Sequence, residues 1–172
     1  MVLGLGNAQW GDAGAGMRAL ARLQARWRFP QQVEFVEGGT RGRALVPLLQ
    51  ATQRMLVLSA VEMGDPPGTL RVFTGDAAAE RLYVHLPKRP GMGFADALAC
   101  AQLSGQVPRD LVLIGIQPQR NDHFGARLSV AVEGRLDQAV DTARHWLQRW
   151  RIEPLAPVPA GAARTGSTGS PA

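Results

Sequence analysis

The chain has 172 residues, 45% hydrophobic and 19% charged, a balance that suits one globular domain and excludes a fibrous or fully disordered chain. No apolar run approaches the ~20 residues of a membrane span, and the start MVLGLGN lacks the pattern of a secretory signal, so a cytoplasmic protein is expected. The net charge is +5, but the cations are scattered arginines (Lys88 is the only lysine) with no arginine cluster interleaved with aromatics, so no nucleic-acid partner is expected.

In chain order, Met1 to Gly6 is a short apolar run ending in glycines and reads as a buried strand. Ala15 to Trp27 carries Met17, Leu20, Ala21, Leu23 and Trp27 on one stripe of a helix. Gln32 to Val36 reads as a second strand and Arg43 to Gln50 as a short helix. Arg54 to Val61 is an unbroken apolar run of the kind a parallel sheet buries on both faces. Leu70 to Phe73 and Leu82 to His85 are expected to pair as short strands around a turn at Gly75-Asp76. Gly93 to Leu103 is a helix stopped by Gly105 and Pro108, and Cys100 within it is expected in the core. As the lone cysteine it permits neither an internal disulfide nor a multi-cysteine zinc site. Leu111 to Ile116 is a further buried strand, Ala126 to Val132 alternates, and Glu133 to Arg151 is a long amphipathic helix.

Strands alternating with helices predict an α/β three-layer sandwich, a twisted, mostly parallel sheet with helices on both faces. One domain over residues 1–152 is expected, followed by a disordered tail rich in Pro, Gly, Ser and Ala over 153–172.

Two strands lead into glycine-rich turns. Gly4-Leu5-Gly6-Asn7 runs on to Gly11-Asp12-Ala13-Gly14-Ala15-Gly16, and Glu37-Gly38-Gly39-Thr40 follows the second strand. Neither fits the GxGxxG of a dinucleotide site, since the residue three after Gly6 is Gln9. Singly, each reads as a tight strand-to-helix turn.

Together, these blocks and three others resemble the [NiFe]-hydrogenase maturation endopeptidase family. The N-terminal block is similar to that family's opening, and Glu37 to Gly42 to its second turn, where the family usually has Asp first. Val57 to Leu70 (VLSAVEMGDPPGTL) resembles the central strand and the turn after it. Gly93 to Leu98 with Pro108, and Leu113 to Pro118 followed by Leu128-Ser129, complete the set in the family's order over roughly residues 1–150. The resemblance implies the α/β sandwich and an activity that removes a C-terminal peptide from the hydrogenase large-subunit precursor after nickel has entered it. It implies that precursor as partner, with nickel belonging to the substrate, and it places Gly38, Gly39 and Thr40 on the substrate side.

Family members hold metal with an acid after the first strand, an Asp ending the central strand and a His before a later helix, a set that ligates one divalent ion and leaves positions open. On the matched motifs those places are Ala13, Ser59 and Pro90. Alanine and proline side chains carry no donor atom, and a neutral hydroxyl is a weak ligand. No intact metal site and no catalytic residue are therefore expected. Asp12, Glu62 and His85 are the nearest substitutes, with His123 a further candidate and His145 expected to be exposed. Ser59 lacks the G-x-S-x-G elbow of an α/β hydrolase and has no evident base. Three readings follow: a non-catalytic chaperone or assembly factor for a hydrogenase, an active endopeptidase with migrated ligands, and an unrelated binding domain on the same fold.

Overall fold

In the computed structural model, the residues described are 1–40, 42–84, 93–120, 124–125 and 127–157. The strands are β1 (Val2–Leu5), β2 (Trp27–Arg28), β3 (Phe35–Gly39), β4 (Arg54–Ala60), β5 (Leu70–Thr74), β6 (Asp110–Ile116) and β7 (Ala156–Pro157). The helices are α1 (Ala15–Arg26), α2 (Val46–Ala51), α3 (Gly75–Val84), α4 (Phe94–Leu103), α5 (Val130–Glu133) and α6 (Leu136–Arg149), with 3-10 turns at Gly11–Gly14 and Arg43–Leu45.

Five strands form one sheet in the order β3-β1-β4-β6-β5. β1 pairs parallel with β3 and β4, and β4 with β6, while β5 closes one edge antiparallel to β6. Because strand side chains alternate between faces, the apolar runs supply two cores. Val2, Leu56, Leu58, Val112 and Ile114 face α1 and α6, where Leu20, Leu23, Val140 and Leu147 are fully or almost fully buried. Leu3, Leu5, Met55, Val57 and Leu113 face the opposite layer, formed by α2, α3 and α4 with Leu49, Leu82 and Leu98. The three-layer α/β sandwich is thus present. Among the described residues no helix is long and apolar enough to cross a membrane.

Several local expectations need correction. Leu82 to Val84 belongs to α3, and His85 lies outside the described residues. Gly75, at φ +54, turns the chain out of β5, and the run Ala77-Ala78-Ala79-Glu80-Arg81-Leu82 consists of strong helix formers that bury Ala78 and Leu82 on one face. The second strand begins at Phe35, in register with Val2, while Val33 is buried ahead of it in a turn closed by its N–H donating to the Pro30 carbonyl at 3.0 Å. Cys100 is exposed, because the buried positions of α4 (Phe94, Ala97, Leu98 and Ala101) follow the three-to-four spacing that Cys100 misses. Leu128-Ser129 does lead into a helix: the Ser129 hydroxyl accepts from the Val132 N–H at 3.3 Å and caps α5. The long final helix is broken at Gly134-Arg135 into α5 and α6. Of the expected tail, Ala156–Pro157 pairs antiparallel with Trp27–Arg28, while residues 158–172 lie outside the described part.

Candidate functional site at the carboxyl end of the sheet

α1 is seated against the strand ends with almost no clearance. A Cβ built on Gly16 would lie 2.1 Å from the Leu58 carbonyl oxygen and 2.4 Å from that of Leu5. This contact brings the Gly11–Gly14 turn, which carries Ala13, to the end of β4, which carries Ser59. The turn and the strand thus meet at the carboxyl end of a parallel sheet, the usual place for a site in an open α/β fold. The third, Pro90, lies outside the described residues.

Neither side chain present is built to hold a cation. Ala13 is buried and presents a methyl group, and its carbonyl accepts from the Asn7 N–H at 3.1 Å. Ser59 is buried, and its hydroxyl donates to the Ala60 carbonyl at 3.0 Å, satisfying its own strand end. Asp12 is only 2% exposed and accepts four hydrogen bonds. Its Oδ2 receives the Gln119 N–H at 2.8 Å, the Arg120 N–H at 3.3 Å and the Ser129 hydroxyl at 2.8 Å. Its Oδ1 receives the Ser129 N–H at 2.7 Å. The carboxylate therefore ties the segment after β6 down onto the Gly11–Gly14 turn, the job of a buried acid whose lone pairs are satisfied by donors.

A second lashing runs beside it. The Gly11 N–H donates to the Gly125 carbonyl at 2.7 Å, the Gly125 N–H donates to the Gln9 carbonyl at 2.8 Å, and Trp10 meets Phe124 edge-on at 5.7 Å. Phe124 is 68% exposed, so an apolar rim stands beside the anchored loop.

Glu62 is exposed on the loop after β4, and its carboxylate receives the Gln117 side-chain Nε2 at 3.4 Å. Gln117 is buried at the end of β6: its Oε1 accepts from the Met63 N–H at 2.6 Å and its Nε2 also donates to the Pro118 carbonyl at 3.2 Å. Asp65 on the same loop accepts from Arg71 of β5, which holds the Asp65 carboxyl below the ordinary 3.8. Across the sheet, Gly38 is buried where a Cβ would meet Leu3 Cδ1 at 2.7 Å, Gly39 has φ +52 and its carbonyl accepts the Gly6 N–H at 3.1 Å, and Thr40 is exposed beyond them. His85 and His123 lie outside the described residues, and His145 is exposed on α6. Among the described residues no three His, Cys, Asp or Glu side chains gather where a metal ion would sit.

Gln117 and Ser129 bind this end of the sheet together, and in the sequence they stand out only as parts of matched motifs. The available signal was a polar side chain placed directly after an unbroken apolar strand, at Gln117, and directly before a helix start, at Ser129.

The family model described as hydrogenase maturation protease matches residues 17–146. The hydrogenase expression/formation protein HoxM of Cupriavidus necator is 37% identical, the match covering 93% of this chain and 82% of that protein. HoxM of Azotobacter vinelandii is 36% identical over 95% of this chain and 84% of its own length. The solved hydrogenase maturating endopeptidase HybD from Escherichia coli superposes with a TM-score of 0.81 at 24% identity, covering 91% of this chain and 95% of that one.

Proposed function

The chain belongs to the hydrogenase maturation protease family, and from that premise we propose that it engages a hydrogenase large-subunit precursor without cutting it, as a chaperone or assembly factor. The carrying observation is the chemistry at the meeting of the 3-10 turn with β4: a buried methyl from Ala13 and a hydroxyl from Ser59 already donating to a backbone carbonyl. A divalent ion bound by protein needs charged oxygens or imidazole nitrogens, and these two side chains do not fit it. Pro90, in the third place on the matched motifs, has no side-chain donor. Nickel enters this reading only as part of the client. The reading carries with it a cytoplasmic site of action.

The alternative, an active endopeptidase whose ligands have moved to Asp12, Glu62 and His85, is disfavoured by Asp12. Both its oxygens are engaged by backbone and hydroxyl donors, and freeing them would release the loop they anchor.

The test incubates the chain with nickel-loaded and nickel-free large-subunit precursor and scores binding and C-terminal trimming separately. Binding without trimming is expected. Trimming by the wild-type chain would overturn the non-catalytic reading, and absence of binding to either precursor would overturn the client. The combined variant Ala13→Glu, Ser59→Asp, Pro90→His supplies two carboxylates and an imidazole, and it is expected to retain Ni²⁺ in equilibrium dialysis where the wild-type chain does not.

A further inference from the structure

The opposite end of the sheet carries a second surface that the maturation chemistry does not use. α1 starts against the carboxyl ends of β1 and β4 and its 12 residues carry the chain back to β2. α6 returns to the same end, where Arg54, the first residue of β4, donates to the Trp150 carbonyl at 3.2 Å. β7 then pairs with β2, and the Leu155 N–H donates to the Arg28 carbonyl at 2.8 Å.

Trp27, Trp146 and Trp150 are wedged here, half-buried against the core. Two of the indoles carry guanidinium groups on their faces. Arg144 sits 5.4 Å from the Trp27 ring centre and Arg149 sits 4.5 Å from that of Trp146. Trp150 meets Trp146 at 6.5 Å. Arg28 and Arg151 are exposed beside them, and Arg151 holds the only positive φ of a non-glycine residue among those described, at 62°.

The charges on this face are uncompensated. Arg22 and Arg26 are tied to Glu133 and Asp137, and Arg54 to Asp110. Among the described residues, Arg28, Arg144, Arg149 and Arg151 have no carboxylate within ion-pair distance. Of the neighbouring acids, Glu153 receives the Gln148 side-chain amide at 2.8 Å, Asp141 lies three residues before Arg144 on α6, and Glu34 faces the Met1 amino group, which donates to the Arg54 carbonyl. The carboxyl end of α6 supplies only about half a negative charge. Four guanidiniums therefore outweigh what the fold sets against them.

We propose that this arginine–tryptophan face binds an acidic segment of a partner protein. A guanidinium resting on an indole is held in place before any partner arrives, and its N–H fork matches a carboxylate. Single-stranded nucleic acid is the poorer fit, because it is gripped by stacking bases on open aromatic faces. On Trp27 and Trp146 that position is occupied by the chain's own arginines. The surface lies at the far end of the sheet from Ala13 and Ser59, so its function stands independently of the client-binding reading.

The test uses the full chain and a fluorescein-labelled oligoglutamate peptide, read by anisotropy at low and physiological salt. Arg28→Glu combined with Arg149→Glu is expected to weaken binding by about tenfold or more, with the wild-type affinity falling as salt rises. Arg127→Glu, in the loop before α5, combined with Arg135→Glu, at the start of α6, changes the net charge equally away from this face and is expected to shift it by less than about twofold. Arg28→Gln with Arg151→Gln, milder at two exposed positions, is expected to fall between them, and circular dichroism checks that each variant is folded. Equal losses in the two charge-reversal pairs would mean that only net charge matters and would overturn the proposal. So would no binding of the peptide, or tighter binding of an oligodeoxythymidine that the Arg28/Arg149 pair abolishes.

Discussion

Removing the Asp12 carboxylate should release the segment that follows β6. Asp12→Ala deletes the acceptor of four hydrogen bonds at a position 2% exposed. A hydrogen bond to a charged group contributes about 1.5–3 kcal/mol, and a buried donor left without a partner costs about 1–3 kcal/mol. The four do not add. Gln119 and Arg120 are exposed residues, so water can replace the acceptor for their N–H groups, and the Ser129 hydroxyl can rotate to a new partner. The Ser129 N–H has neither escape. A loss of ~3 kcal/mol is therefore expected, equivalent in a chain of this size to a fall in Tm of roughly 6–12 °C. Asp12→Asn keeps one acceptor oxygen for the three donors now on Oδ2, but sets its amide N–H groups against the Ser129 N–H, and should cost about half as much. Urea unfolding, with an unchanged m-value, measures the loss. Amide exchange should quicken at Gln119, Arg120 and Ser129 before it does in β4 or β6. If Asp12→Ala unfolds at the wild-type urea concentration, or those three amides keep their protection, the carboxylate is not the anchor described here.

Gly16→Ala should be far more damaging than its size suggests. Its Cβ would lie 2.1 and 2.4 Å from two backbone oxygens that no side-chain rotation can move, so a cost at or above the ~3 kcal/mol upper end of overpacking is expected. A variant with wild-type urea stability would contradict the close seating of α1. A pH effect is expected from Asp137, whose carboxyl the Arg22 hydrogen bond at 2.7 Å holds below its ordinary 3.8. A lowered folded value means that the pair stabilises the fold above pH 3.8 and that this contribution disappears as pH falls through the lowered value. Asp137→Asn should therefore melt below wild type near neutrality and converge with it in strong acid. Parallel curves over the whole acid range would rule out that linkage.

The sequence by itself determined the layers. Unbroken apolar runs at Arg54 to Val61 and Leu111 to Ile116 can only be buried on both faces, and the three-to-four spacings of α1 and α6 can only cover such a sheet. It also determined that Ala13 and Ser59 bring no metal-binding charge, since that follows from their composition and not from where they sit. Tertiary structure decided the rest, because the partners are distant along the chain. Leu82 is in a helix because Ala78 and Leu82 together find an apolar layer, which a window of a few residues cannot reveal. Asp12 looked like a spare ligand beside Ala13 until the chain brought Gln119 and Ser129, more than a hundred residues away, within reach of its oxygens. Scattered arginines became a charged face only when α6 and β2 came together and set Arg144 on Trp27. Hydrophobic periodicity is local and survives in one dimension; the satisfaction of a buried carboxylate is a matter of three-dimensional proximity, and no spacing encodes it.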